Sequence, residues 1–223
     1  MDKGLIITID GPTGVGKSTV AKSVALNLGL IYLDTGAMYR AIALQVKRHS
    51  INLDNDELES LLHNTDIDFI QDESNTLVLR LNGEDITNKI RTPEISKISS
   101  DVATKSPVRR KLVELQRKIG SAGNIVVEGR DMGTYVFPKA NFKFFLEACL
   151  EERAVRRRKQ LMENGIEIEM NKLIKDIESR DKQDTERLDS PLHPAANAVI
   201  IDTTNLDTDE VVKRIITEVK GEN

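Results

Sequence analysis

The sequence predicts a doubly wound α/β domain: a five-stranded parallel sheet, helices on both faces and one small antiparallel insert. Three observations carry that expectation. Short apolar runs alternate with segments of helical periodicity, and the connections between them are short. A stretch from about Asn52 to Val102 breaks the pattern, alternating apolar and polar residues as a two-faced strand does. The length, 223 residues, suits one domain with an insert and is enough to build a core without a disulfide or structural metal.

The first third supplies the clearest elements. Leu5 to Ile9 is an isoleucine-rich run of the kind buried in parallel sheets. A glycine-rich turn follows, then Ser18 to Leu28 with Val20, Val24, Ala25 and Leu28 at helical spacing, closed by Gly29. Leu30 to Leu33 reads as a second strand and Ala37 to Arg48 as a second helix. Within the insert, Asp66 to Ile70 and Thr76 to Leu81 read as antiparallel strands, and Asn82-Gly83 as a hairpin turn. The alternation then resumes, with strands at Ile125 to Val127 and Lys143 to Leu146. Two charged helices follow, Glu151 to Glu163 and Glu169 to Asp184, before a buried strand at Ala198 to Ile201 and a helix at Thr208 to Val219.

Composition narrows the function classes. A single cysteine, Cys149, excludes an internal disulfide framework and a multi-cysteine metal site. No apolar run reaches the roughly 20 residues of a spanning helix, so the chain reads as soluble and cytoplasmic, with no membrane partner. A net charge of −4, no Trp, three Tyr and five Phe argue against a nucleic-acid partner. Yet Arg153, Arg156, Arg157, Arg158 and Lys159 crowd five cations into seven residues, which points to a focused anionic ligand.

The chemistry-bearing segments sit where strands end. Gly11-Pro12-Thr13-Gly14-Val15-Gly16-Lys17-Ser18 fits G-x-x-x-x-G-K-[ST], the loop whose backbone N–H groups cradle phosphates. In that loop Lys17 reaches the β- and γ-phosphates and Ser18 coordinates Mg²⁺. A strand before it and a periodic helix after it set it apart from an ordinary glycine-rich turn. Asp34-Thr35-Gly36-Ala37-Met38-Tyr39-Arg40 follows the second strand, where α/β sheets bind ligands; a capped helix with a solvated arginine would look the same. Gly129-Arg130-Asp131-Met132-Gly133 follows the third, its glycines letting an Arg–Asp pair project into a cleft or form a surface ion pair. Glu128 stands where an acid would hold a Mg²⁺-bound water. Arg180, Asp184 and Arg187, at i, i+4 and i+7, share a helix face, as a ligand site or as a solvated salt-bridged surface.

These segments together resemble the bacterial cytidylate kinases of the nucleoside monophosphate kinase superfamily. The likeness runs through IDGPTGVGKST, LDTGAMYR, GEDITNKIRT, SPVRR, EGRDMGTYVFP and SRDKQDTERLDSPL. It implies ATP-dependent phosphorylation of CMP and dCMP, with ATP on Gly11 to Thr19 and Mg²⁺ on Ser18. Arg40, Arg130 and Arg187 would clamp the acceptor phosphate, with Thr35, Tyr39 and Gly129 nearby. Ser100, Arg109 and Asp131 would read cytosine, while Arg180 and Asp184 would hold the pentose. Arg153 and Arg157 would cover adenine and the transferring phosphoryl group from a lid at about 153–165. The likeness further implies a monomer: a core of 1–51 and 103–223, a helical basic lid, and a monophosphate-binding insert at about 52–102 built as a small antiparallel sheet with helices.

A nucleoside monophosphate, whose second phosphate pKa is near ~6, arrives largely dianionic and needs no general base. Lys17, Mg²⁺ and the arginines would cancel repulsion between the phosphates, so His49, His63 and His193 read as surface or packing residues. Two other readings stay open: another small-molecule kinase such as a shikimate kinase, which leaves the antiparallel insert unexplained, and a nucleotide-dependent switch.

Overall fold

The computed structural model describes residues 4–54, 56–71, 73, 77–163 and 165–221. Thr76, at the expected start of an insert strand, and Asn164, in the expected lid, lie outside the described residues. In chain order the first half comprises β1 (Ile6–Asp10), α1 (Lys17–Leu28), β2 (Ile31–Asp34) and α2 (Thr35–His49). It continues with α3 (Glu57–His63), β3 (Ile67–Gln71), β4 (Leu77–Leu81), β5 (Glu84–Asp85), α4 (Pro93–Val102) and α5 (Ser106–Ile119). The second half comprises β6 (Ile125–Gly129), β7 (Phe142–Glu147), α6 (Leu150–Glu163), α7 (Met170–Glu186), β8 (Val199–Asp202) and α8 (Thr208–Lys220).

Five strands form a parallel sheet in the order β2-β6-β1-β7-β8. Successive side chains point to opposite faces, so the strands β1, β2 and β6 feed two cores. Ile7, Ile9, Val126, Phe144 and Leu146 pack with Val20 and Val24 of α1 and Val211 and Ile215 of α8. Leu33, Ile125 and Val127 pack on the other side with Met38 and Ile42 of α2 and Val108 and Leu112 of α5. The sheet therefore has helices on both faces, as expected.

The insert carries its own sheet of three antiparallel strands, β3-β4-β5. Asn82 and Gly83 both adopt positive φ, 49° and 80°, which closes a two-residue hairpin between Leu81 and Glu84. The insert does not build a separate core. Leu58, Leu62, Ile67, Leu79, Leu81, Ile86 and Ile95 join the cluster around α2.

Three elements differ from the sequence reading. β8 is an exposed edge, with Ile200 53% exposed and Ile201 alone of its residues buried, so the last strand is not enclosed on both faces. α5 was not anticipated, although Ser106-Pro107 opens it, whereas α4, whose N-cap Thr92 accepts from the Ile95 N–H, is one of the helices the likeness implied for the insert. α6 and α7 form a hairpin with a small core of its own, Ala154, Leu161, Leu173 and Ile177. Among the described residues no helix is long and apolar enough to cross a membrane.

Candidate active site

Parallel register brings the strand ends to one rim: Asp10 lies opposite Gly129, and Asp34 opposite Glu128. The three segments picked out in the sequence therefore meet along one edge of the sheet. The loop from Gly11 to Gly16 crosses it, with Val15 buried in the α1 core as its anchor. Gly14 has φ 80°, and a Cβ there would sit 2.9 Å from the Arg153 carbonyl oxygen, so no other residue fits without displacing α6. No side chain caps α1, which leaves its first N–H groups for an anion; Ser18 and Thr19 are exposed there. Lys17 is buried and donates to the Pro12 carbonyl at 2.6 Å. Burial, then the neighbouring Arg130, push the Lys17 ammonium down from its usual range, which a polyanion would reverse.

Beside it, Glu128 is buried at the end of β6. The Tyr32 hydroxyl donates to its Oε1 at 2.6 Å, and Ser18 bonds its side chain too. Burial, then Asp34, raise the Glu128 carboxyl above the usual range. Ser18 and Glu128 are oxygen donors, the set a Mg²⁺ shared with phosphates prefers. Thr35 is committed elsewhere: its hydroxyl donates to the Glu128 carbonyl at 2.6 Å.

Around this loop the arginines gather. Arg130 Nε meets Asp184 Oδ2 at 2.7 Å and its Nη2 donates to Thr13 Oγ1 at 3.0 Å. Arg40 is held by Asp34, which also caps α2 through the Ala37 N–H. Burial, then Arg130, push Arg180 down to about 10, and Asp184, Arg157 and Arg40 also act on it. Arg157 is lowered by burial and then by Arg40. Among the described residues, the buried Nε donors of Arg40 and Arg180 have no hydrogen-bond partner. Crowded cations with unsatisfied N–H groups are the electrostatic imprint of a bound oxyanion.

Asp131 and Arg130 do not project together as a pair. Arg130 turns to Asp184, whereas Asp131 is buried between Arg109 at 2.5 Å and Arg187 at 3.3 Å. The physical reason is charge: each buried ion takes the nearest opposite partner rather than its sequence neighbour. The Tyr39 hydroxyl accepts from Arg109 at 3.3 Å, and burial pushes that phenol up to about 12, so it stays neutral. A cleft of about 440 Å³ opens beside Arg109, lined by Ser106, Tyr135, Asp189 and Ser190 among others. α7 ends at Glu186, one residue short of Arg187, yet Arg187 still faces Asp184 and Asp131.

Two expected site residues are drawn elsewhere. Ser100 bonds back to the Ser96 carbonyl of its own helix at 3.4 Å. Arg153 is buried, donating to the Ala148 carbonyl at 3.1 Å and the Thr13 carbonyl at 3.0 Å and pairing with Asp181, so its guanidinium faces protein. The three histidines are exposed. Sequence reasoning missed Tyr32, Asp34, Asp181 and Asp10. Asp10 is 4% exposed, accepts from the Met132 and Gly133 N–H groups at 2.9 and 2.8 Å, and titrates at about 6, raised chiefly by burial. Its signal was visible: an acid ending an apolar strand directly before a glycine-rich loop.

Residues 7–221 match the family model described as cytidylate kinase. The chain is 48% identical over 215 residues to the cytidylate kinase of Desulforamulus reducens, covering 96% of each chain. It is 44% identical over 217 residues to that of Syntrophotalea carbinolica, covering 97% of this chain and 92% of that one. Among solved structures, an uncharacterized protein from Eubacterium ventriosum superposes with a TM-score of 0.56 at 15% identity, over 99% of this chain and 100% of that one. The shikimate kinase of Bacteroides thetaiotaomicron gives 0.50 at 14% identity, over 97% and 98%. At such identities these two likenesses speak for the fold alone.

Proposed function

The chain belongs to the cytidylate kinase family, and from that premise we propose how its residues carry ATP-dependent phosphorylation of CMP and dCMP. ATP lies with its phosphates on the loop from Gly11 to Thr19, and Lys17 exchanges the Pro12 carbonyl for a phosphate oxygen. Mg²⁺ supplies charge cancellation between the phosphates, held by Ser18 and, through water, by Glu128. The acceptor phosphate sits among Arg40, Arg130 and Arg187, with Arg180 and Asp184 toward the pentose. The observation that carries this reading is the orphaned Nε pair of Arg40 and Arg180 within a crowd of arginines.

Cytosine is read by Arg109 and Asp131, which the structure pairs, while Ser100 would have to release the Ser96 carbonyl to join them. Both Asp131 oxygens already face guanidinium groups, but an ionised carboxylate accepts about four hydrogen bonds, which leaves room for the cytosine amino group. The acceptor arrives as a dianion, so no base is needed; rate comes from in-line placement and electrostatics. Arg157 is supplied by the hairpin of α6 and α7, whose closure excludes water. The insert at about 52–102 covers the acceptor. The reading takes the chain as a monomer working in the cytoplasm, where ATP and CMP are available.

Two variants test the assignment. Lys17→Ala should abolish CMP-dependent ADP formation with unchanged circular dichroism. Arg40→Ala, which touches only phosphate, should raise the KM of CMP and UMP by the same factor; a change confined to CMP would count against it.

A further inference from the structure

Thr13 is buried inside the phosphate-binding loop, and each of its polar groups bonds a different element. Its side-chain oxygen accepts from Arg130 at 3.0 Å, its carbonyl accepts from Arg153 at 3.0 Å, and its N–H donates to Asp181 Oδ1 at 3.0 Å. Asp181 Oδ2 takes the same Arg153 guanidinium. One carboxylate thus ties α7, the first turn of α6 and the loop into a single junction. Both side chains lie largely out of solvent, at 19% for Asp181 and 10% for Arg153.

We propose that Asp181 is a positioning residue for the phosphoryl donor, an inference that rests on ATP occupying this loop. A loop turning through positive φ at Gly14 and Gly16 is held by few local restraints, so something outside it must aim its N–H groups. Asp181 does so from α7. Its neighbour Arg180 turns toward Arg130, Arg157 and Arg40 on the acceptor side, so one helix addresses both substrates through adjacent residues. A bare carboxylate this close to a polyphosphate would repel it; Arg153 neutralises that charge while clamping the loop from behind. Arg153 therefore works on the loop rather than on adenine. The first turn of α6 is fixed to the core, and Arg156 fixes it again through the Thr203 carbonyl at 2.6 Å. Arg153 and Arg156 thus hold the start of α6 to the loop and to the turn after β8.

The test compares Asp181→Ala and Asp181→Asn with the wild type, measuring KM for ATP and for CMP, kcat, and the Kd of a non-hydrolysable ATP analogue. Asp181→Ala should raise the ATP KM and the analogue Kd by roughly tenfold or more, and the CMP KM by less than about threefold. Asp181→Asn keeps an oxygen for the Thr13 N–H and should recover most of the ATP affinity. A lowered melting temperature with wild-type affinity for ATP would reduce Asp181 to a structural residue and overturn the inference. Equal losses for ATP and CMP would overturn it too, by placing the effect on α7 as a whole. Should Asp181→Ala not fold, Asp181→Asn beside Arg153→Met decides by the same split between the two KM values. Lys17→Ala, run in parallel, loses turnover if ATP uses this loop, so a failure of that premise is distinguishable from a failure of Asp181.

Discussion

Removing the Asp131 carboxylate should unsettle both the fold and the choice of base. Asp131, Arg109 and Arg187 have side chains only 4–5% exposed, and each carboxylate oxygen faces one guanidinium. Asp131→Ala leaves buried Arg109 without its carboxylate and Arg187 with only Asp184, at 3.8 Å, a change that costs about 3–5 kcal/mol. For a domain of this size each kcal/mol lowers Tm by about 2–4 °C, so a fall of roughly 6–20 °C is expected. CMP should return part of it, because its phosphate supplies negative charge to Arg187. The same variant bears on specificity: a carboxylate accepts from the cytosine amino group and is set against the O4 of uracil. Discrimination of CMP over UMP on the order of a hundredfold in kcat/KM should fall by tenfold or more. Thermal unfolding followed by circular dichroism, with kcat/KM for both acceptors, reads both effects. A Tm within about 2 °C of wild type would refute the buried-pair reasoning, and an unchanged CMP/UMP ratio would refute the base-reading role.

Asp10 gives the stability a pH dependence of known sign. Its carboxyl rises from 3.8 to about 6 on burial, so the folded chain holds the proton more tightly. That stabilisation is present below about pH 4 and lost as pH rises through 6, a difference of roughly 3 kcal/mol. Between pH 7 and 5 the wild type should therefore gain stability relative to Asp10→Asn; parallel Tm curves would contradict it. Arg157→Ala should lower kcat tenfold or more while moving the CMP KM by less than threefold, since its charge matters most in the transition state. Hydrogen exchange should slow in residues 157–163 when CMP and an ATP analogue are both bound, and should already be slow at 153–156 without them.

Much of the fold was legible because local signals agreed with it. The loop at Gly11 to Ser18, the hairpin at Asn82-Gly83 and the strand preceding each motif are set by chemistry within a few residues. α5 went unread although Val108, Leu112, Leu115 and Ile119 recur at helical spacing, because its opening SPVRR drew attention as a motif rather than as the start of a helix. β8 misled because an apolar triplet looks the same on a covered and an uncovered edge. In the site, residue types were readable but pairings were not. Asp131 reaches Arg109 and Arg187, and Arg153 reaches Thr13 and Asp181, across 22 to 140 positions that only the sheet order brings together. Tyr32 lies in no motif, and although Asp10 and Asp181 stand inside quoted segments, their partners at Met132, Gly133 and Thr13 are more than 100 positions away, so no spacing announced their contacts.

Turnover with a panel of acceptors bears on all of this at once. Purified enzyme with Mg·ATP is offered CMP, dCMP, UMP, AMP, GMP and shikimate in turn, and ADP release is followed. CMP and dCMP should be used efficiently, UMP poorly, and the purine monophosphates and shikimate hardly at all. ADP release that is indifferent to the acceptor, or fastest with AMP or shikimate, would contradict the assignment of the arginine-lined site to a cytosine monophosphate.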